Sequence, residues 1–303
     1  MISPIGVVIV TYDRKEKLKK ALKAYDQQIF LPCEIIVVNN ASTDGTNEIL
    51  DRWKSENSIY SKVVIDSKYN VGGSGGFYLG EKRALHDNIS WIMIADDDAY
   101  PDTDYIKKIY AYINSYKDKE PISIVSGKVI ENGDIINIHR SFWRSQWDRN
   151  FHRPASRTDY NDIFYPDFAS YVGIIINGKF LKKAGLVDKD LFMWCDDTEH
   201  TFRLGRFGKI VCIPDTSIYH DVSESNKSIS WKTYYGYRND LLFFKRHFPT
   251  HFPVIVLKLL CKTLLCPLKG KTFTEMKIRI VAIKDACLDN KGVHNMYKPG
   301  WKP

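Results

Sequence analysis

The 303-residue chain contains no apolar run of 18 residues, so no membrane-spanning helix is expected. Its six cysteines, at positions 33, 195, 212, 261, 266 and 287, form no CxxC pair and match no zinc-ribbon or zinc-finger spacing. There is no Gly-Lys-Ser/Thr of a P-loop, and the first strand lacks the GxGxxG of a dinucleotide fingerprint. Met1-Ile2-Ser3-Pro4 runs straight into a strand-like stretch without the charged and apolar regions of a secretory signal. The expected setting is therefore cytoplasmic, with free thiols. Charge of one sign is scarce in the main body. The formal net charge is +8, but ten Lys/Arg against three Asp/Glu lie between His251 and Pro303, which accounts for +7 of it. Residues 1–250 are nearly balanced, which argues against a nucleic-acid groove across them. With 44% hydrophobic and 26% charged residues the chain is neither disordered nor collagen-like, and it can bury a sizeable core.

Within this frame the apolar pattern alternates between two periods. Ile5–Val10, Glu34–Val38, Val63–Ile65 and Trp91–Ala95 are short β-branched runs of the kind buried strands show. Lys15–Tyr25, Asn47–Trp53 and Glu81–Asn88 read as helices between them. Strand and helix in alternation imply βαβ units and a mainly parallel sheet. Polar clusters follow the strands at their C-terminal ends, where open α/β sheets bind ligands. Further on, Ile122–Val125, Tyr171–Ile176 and Lys209–Ile213 are strand candidates, and Asp197–Phe207 is a helix candidate. A long polar and aromatic segment, Ser141–Tyr165, lies between them. A boundary is expected near His247–Pro253.

Four local features carry chemistry. Asn70-Val71-Gly72-Gly73-Ser74-Gly75-Gly76-Phe77 follows a strand and precedes a helix, so its backbone N–H groups can face a diphosphate; the alternative is a tight turn. Asp96-Asp97-Asp98 closes an apolar strand. Alternation lets Asp96 and Asp98 share a face and hold Mn²⁺ or Mg²⁺, the alternative being a solvated acidic loop. Trp194-Cys195-Asp196-Asp197-Thr198-Glu199 sits at a helix start, where the dipole keeps carboxylates ionised and a general base is well placed. Plain N-capping with a Glu199–Arg203 surface pair explains the same residues. His220 is either a structural histidine or the nitrogen ligand of a carboxylate–metal site.

In their order and spacing, VVIVTYDR, VVNNASTDGT, NVGGSGGF, ADDD, WCDDTEHTFR and the later His220 resemble the family 2 inverting glycosyltransferases, over Val7 to about Phe248. Within that family the glycine stretch, the tryptophan before the paired aspartates and Tyr234-Tyr235-Gly236-Tyr237-Arg238-Asn239 are similar to bacterial galactofuranosyltransferases; some rhamnosyltransferases share much of the pattern. The resemblance implies a GT-A fold: an α/β, Rossmann-like, mainly parallel sheet flanked by helices. Residues 1–248 would form the catalytic domain, with a nucleotide-binding half (1–100) and an acceptor-binding half (101–248). Residues 249–303 would form a helical extension. It further implies nucleotide and donor contacts from Thr11, Asp13, Arg14, Asn39, Asn70, Gly72, Gly73, Asp96 and Asp97. Many relatives carry Asp at the position of Asn39. Asp96, Asp98 and His220 would hold the metal. Asp197 would be the catalytic base, with Asp196, Trp194 and Glu199 on the acceptor side. Trp143, Trp147 and Trp194 are candidates for stacking on sugars or for the core.

The expected activity is metal-dependent transfer of galactofuranose from UDP-galactofuranose to a cell-surface glycan; the alternative is a rhamnosyltransferase using dTDP-rhamnose, or another hexosyltransferase of the same family. An inert glycan- or nucleotide-binding module and a nucleotidyltransferase are the readings from other classes. The tail segments Phe252–Leu268 and Thr274–Leu288 intersperse apolar residues with Lys and Arg. They suit either packing on the catalytic domain or docking on an anionic bilayer, where a polyprenyl-diphosphate-linked acceptor would reside. The second option makes the protein peripheral on the inner face of the membrane.

Overall fold

A computed structural model of the chain describes residues 1–222, 229–266 and 272–303. Its first part is the expected alternation: β1 (Ile5–Thr11), α1 (Lys15–Asp26), β2 (Glu34–Asn39), α2 (Thr46–Ser55), β3 (Ser61–Asp66), α3 (Gly72–His86) and β4 (Trp91–Asp96). β1 lies between β2 and β4, and β3 extends the row beyond β2, all parallel. β1 and β2 are buried along their whole length, as central parallel strands require. Side-chain alternation then divides the core. Val7, Ile9, Ile35 and Val37 pack under α1 and α2, while Val8, Val10, Ile36 and Val38 face Phe77 and Ala84 of α3.

The second part adds β5 (Ala99–Pro101), α4 (Tyr105–Ser115), β6 (Ile122–Glu131), β7 (Asp134–Ile135), β8 (Arg140–Trp143), β9 (His152–Pro154), β10 (Phe168–Ala169), β11 (Ile174–Asn177), α5 (Gly178–Ala184), α6 (Asp196–Leu204) and β12 (Lys209–His220). The order β3-β2-β1-β4-β11-β6-β12-β5 joins both parts in one sheet, with β11 antiparallel to β4 and β6. The expected division at residue 100 is thus crossed by a continuous sheet. β12 is longer than the Lys209–Ile213 strand expected. It continues past a register shift between Ile213 and Ser217, and its end pairs with β5. The segment Ser141–Tyr165 is not a bare loop. Together with Phe168 and Ala169 it supplies a small antiparallel sheet, β10-β8-β9.

Three helices complete the described residues: α7 (Trp231–His247), α8 (Phe252–Leu264) and α9 (Phe273–Cys287). Ile255 and Leu259 of α8 and Ile283 and Ala286 of α9 pack against Leu241–Phe244 of α7. The last residues of the stretch Phe252–Leu268 lie outside the described residues.

The glycine stretch differs from expectation. Gly72–Gly76 is not a loop but the opening of α3. A Cβ on Gly76 would lie 2.5 Å from Val10 Cγ1, and one on Gly80 would lie 2.1 Å from Val8 Cγ1. Gly76 and Gly80 therefore let α3 lie directly on β1. Gly72 differs, because its φ of +76° and a phantom Cβ 2.1 Å from the Phe192 carbonyl both demand glycine.

Candidate active site

Register assembles the first cluster. β4 delivers Asp96 at its end, and β12 pairs with β5 so that His220 opposes Ala99, the neighbour of Asp98. His220 Nε2 is 3.4 Å from Asp98 Oδ1, and ligand atoms of Asp96, Asp98 and His220 all lie within 4.8 Å of one another. Asp98 Oδ1 is buried and accepts no hydrogen bond. Two carboxylates and an imidazole around an orphaned oxygen fit Mn²⁺ or Mg²⁺ as the ion these residues would hold. On the protein side the negative charge is met by Arg14, whose Nη1 lies 2.7 Å from Asp98 Oδ2 and 3.3 Å from Asp97 Oδ1, and by Lys17. Thr11 donates to Asp97 Oδ2 at 2.7 Å.

Burial and the neighbouring Asp98 push Asp96 up to about 7. Burial pushes Asp97 to about 6 against the pull of Arg14. Burial also opposes ionisation of Asp98, but His220, Arg14 and Lys17 hold it below the usual carboxylate range. Burial would lower His220, yet Asp98, Asp96 and Glu131 raise it to about 9. Sequence reasoning missed the support behind this histidine. Glu131 Oε1 is 2.8 Å from His220 Nδ1 and 2.8 Å from His139 Nε2, and His139 Nδ1 is 2.6 Å from Ser170 Oγ. A carboxylate behind an imidazole fixes which nitrogen faces the site. No local motif marks Glu131 or His139, because only the pairing of β6 with β12 brings them there.

The second cluster stands on a strained turn. Phe192, Trp194 and Cys195 all have positive φ, at 68°, 63° and 63°. The turn is held from behind by α7. Asn239, fully buried, donates to the carbonyls of Leu191, Met193 and Trp194 at 3.0, 2.8 and 2.8 Å. Arg238 Nη2 adds a donation to Leu191 at 3.0 Å. A Cβ on Gly236 would lie 2.8 Å from the Trp194 ring, so that glycine seats the indole. The run Tyr234–Asn239 thus braces the turn from which Asp196 and Asp197 start α6. Thr198 donates its N–H to Asp197 Oδ1 at 2.6 Å and its hydroxyl at 3.1 Å. Burial and the adjacent Asp197 push Asp196 up to about 7, and burial also raises Asp197.

The two clusters meet at the start of α3. A cavity of about 230 Å³ is lined by Tyr12, Arg14, Asn40, Asn70, Gly72, Gly73, Asp96 and Asp97, with Met193, Trp231 and Lys232 among its other walls. The next residue, Ser74, donates its N–H to the Phe192 carbonyl at 3.3 Å and is among the groups that stabilise ionised Asp196.

Several expected residues fall elsewhere. Asn39 is spent on its own surroundings, donating to Asn47 and Asp66 and accepting from Ser42 N–H. Its neighbour Asn40 lines the cavity instead, bridging Val71 N–H, Asn70 and the Gly72 carbonyl. Asp13 closes the loop at Thr43 and does not line the cavity. Glu199, expected on the acceptor side, is saturated by Arg203, Arg246 and His247 between α6 and α7. Burial opposes its ionisation, but the hydrogen bond with His247 and the charges of Arg203 and Arg246 hold it down at about 2. Trp143 packs among Phe151, Phe168, Phe202 and Phe248. Trp147 is half-exposed beside His251, and Trp194 is half-exposed over Gly236.

A mainly parallel sheet with an acidic triplet at the end of its fourth strand, an N-terminal glycine helix and a later histidine is the arrangement of the GT-A fold. The model of glycosyl transferase family 2 matches residues 6–171, and the chain belongs to that family. It is 29% identical over 210 residues to galactofuranosyltransferase GlfT1 of Mycobacterium tuberculosis, covering 69% of this chain and 66% of that protein, just under two thirds of its length. It is 26% identical to the dTDP-rhamnosyl transferase RfbF of Shigella flexneri over 94% of this chain and 96% of that one. Among solved structures it is similar in fold to GalNAc-T7 with UDP, GalNAc and Mn²⁺, with a TM-score of 0.65 and 15% identity over 94% of this chain and 56% of that one.

Proposed function

We propose that this protein is a metal-dependent inverting glycosyltransferase that moves a hexose, with galactofuranose from UDP-galactofuranose preferred, onto a hydroxyl of a growing cell-surface glycan. The observation that carries this reading is the shared start of α3. Gly72 and Gly73 line the cavity with Asp96 and Asp97, and Ser74 meets the turn that carries Asp196 and Asp197. Donor and acceptor sides thus lie on either side of one helix turn. Asp197 takes the proton of the acceptor hydroxyl as its oxygen bonds to the anomeric carbon, and the bond from that carbon to the diphosphate breaks with inversion. Asp196 and Trp194 border the acceptor. Asp96, Asp98 and His220 would hold a divalent ion, which when bound would supply charge neutralisation for the departing diphosphate. GlfT1 supports galactofuranose as the sugar. RfbF, aligned over nearly the whole chain, supports a second reading with dTDP-rhamnose as donor.

No described helix is long and apolar enough to cross a membrane. On α8 and at its end, however, Leu257, Leu260, Leu264 and Leu265 are exposed, while Lys258 and Lys262 reach Trp147 and Asp148. We propose that this face rests on an anionic bilayer and brings the site to a lipid-linked acceptor. Removing the tail is a poor test, since Ile255 and Leu259 are part of the core with α7. The donor is tested by calorimetric titration of UDP-galactofuranose, UDP-glucose and dTDP-rhamnose, each with and without Mn²⁺. Mn²⁺-dependent preference for UDP-galactofuranose supports the reading. Preference for dTDP-rhamnose replaces the donor and keeps the mechanism, and no metal-dependent binding refutes both.

A further inference from the structure

Two cations line the cavity between the acidic triplet and the start of α3, and they differ in one respect. Arg14 is committed to Asp97 and Asp98. Lys232, in the first turn of α7, makes no hydrogen bond or ion pair with any described residue, although it is only partly exposed. This half-buried ammonium has the Trp231 ring 5.8 Å away but no anion of its own among the described residues, a setting that suits an incoming anion. Burial and the positive charge of Arg14 lower its pKa, against the pull of Asp96 and Asp98. The same cavity is lined by Gly72 and Gly73 at the N-terminus of α3, a second feature suited to an anion. A nucleoside alone offers no charge to either.

We propose that Lys232 is a diphosphate-binding residue, a second anchor for the nucleotide-sugar that acts from α7 independently of the carboxylate–histidine cluster. This rests on the donor-site reading above. In transfer, the same ammonium faces the oxygen that gains negative charge when the glycosidic bond to the diphosphate breaks, so it serves the leaving group as well as the ground state. It also couples α7 to the donor. The helix whose Arg238 and Asn239 brace the Asp196–Asp197 turn would feel through Lys232 whether the donor is present.

The test is Lys232→Met, which keeps the apolar stem and removes the charge. UDP is titrated into both proteins by calorimetry in saturating Mn²⁺, uridine binding is followed by ligand-observed NMR, and Tm is measured without ligand. The expected result is UDP affinity weakened about tenfold to a hundredfold, uridine affinity unchanged, and an unliganded Tm that does not fall. Equal UDP affinity in the two proteins overturns the inference. So does a parallel loss of UDP and uridine binding with a lowered Tm, which would make Lys232 structural. A wild-type protein that binds neither UDP nor uridine overturns the donor-site reading itself, an outcome distinct from the other two.

Discussion

Removing the amide of Asn239 should separate catalysis from donor binding. That side chain is fully buried and donates to three consecutive-turn carbonyls, those of Leu191, Met193 and Trp194. In Asn239→Ala the Leu191 carbonyl keeps Arg238, so two carbonyls lose this donor. Each left short costs about 1–3 kcal/mol, so the loss is about 2–6 kcal/mol, the lower end applying where water enters the vacated space. The three positive-φ residues that the amide restrains each store about 1–3 kcal/mol, which gives the turn a reason to relax once released. Relaxation moves the start of α6, and a displacement of about 1 Å at a base costs about a hundredfold in rate. Most of the donor side stands on β1, β4 and α3, with Phe192 and Met193 of the turn at only one part of its wall, so most of its shape is kept. The expected pattern is a lower urea midpoint, kcat down about a hundredfold and UDP affinity within a few-fold of wild type. A variant with an unchanged midpoint and normal kcat would refute the bracing argument. One that lost UDP binding in proportion to kcat would show that the turn belongs to the donor side.

Four further outcomes follow from the same geometry. Asp197→Asn should abolish transfer and leave calorimetric UDP binding intact; near-normal turnover would end its assignment as base. Asp98→Ala should weaken Mn²⁺-dependent donor binding about tenfold or more, and equal Mn²⁺ dependence in a titration would reject the ligand set. Burial pushes Glu81 up to about 8, so the native state keeps a proton that the unfolded chain releases near the ordinary carboxylate range. Stability from this group is therefore full at acid pH and falls as pH rises toward 8, by at most about 1.4 kcal/mol per pH unit. Urea melts at pH 5.5 and 7.5 should show a smaller difference for Glu81→Gln than for wild type. Leu257→Glu with Leu264→Glu, both on the exposed face of α8, should leave Tm nearly unchanged and reduce flotation with anionic vesicles; equal flotation would remove the membrane from the proposal.

What was legible from sequence was whatever the chain writes locally. Val7–Val10 and Ile35–Val38 are contiguous β-branched runs because both faces of a central parallel strand are covered, and nothing else produces that pattern so compactly. Asp96, Asp98 and the Asp196–Asp197 pair were visible because adjacent carboxylates at element ends are unusual on their own. The rest depended on pairings between distant segments. The glycines read as a phosphate loop because a glycine-rich segment looks alike whether it wraps an anion or lets a helix touch a strand. Only the contacts of Gly76 and Gly80 with Val10 and Val8 separate the two uses, leaving Gly72 and Gly73 for the cavity. Asn39 and Asn40 are chemically identical neighbours, and the choice between them was made by Asn47 and Asp66, which occupy one amide and leave the other for the cavity wall.

Glu199 shows why a motif overstates a site. In WCDDTEHTFR the acids appear as one group, but one helix runs through them, and the two-residue step from Asp197 turns Glu199 by about 200° to the face that meets α7, where Arg246 and His247 wait. There its charge is met from inside the protein, whereas burial raises both Asp196 and Asp197, and Asp197 raises Asp196 further. The two kinds of acid are suited to different work for that reason. A carboxylate held down at about 2 has no use for a proton at neutral pH and serves to tie α6 to α7. A raised carboxylate has basicity to spare, and basicity is what removal of a hydroxyl proton demands. The helix that Glu199 anchors is the one whose Asn239 braces the turn ahead of Asp196, so the acid that left the site helps to hold the acids that stayed.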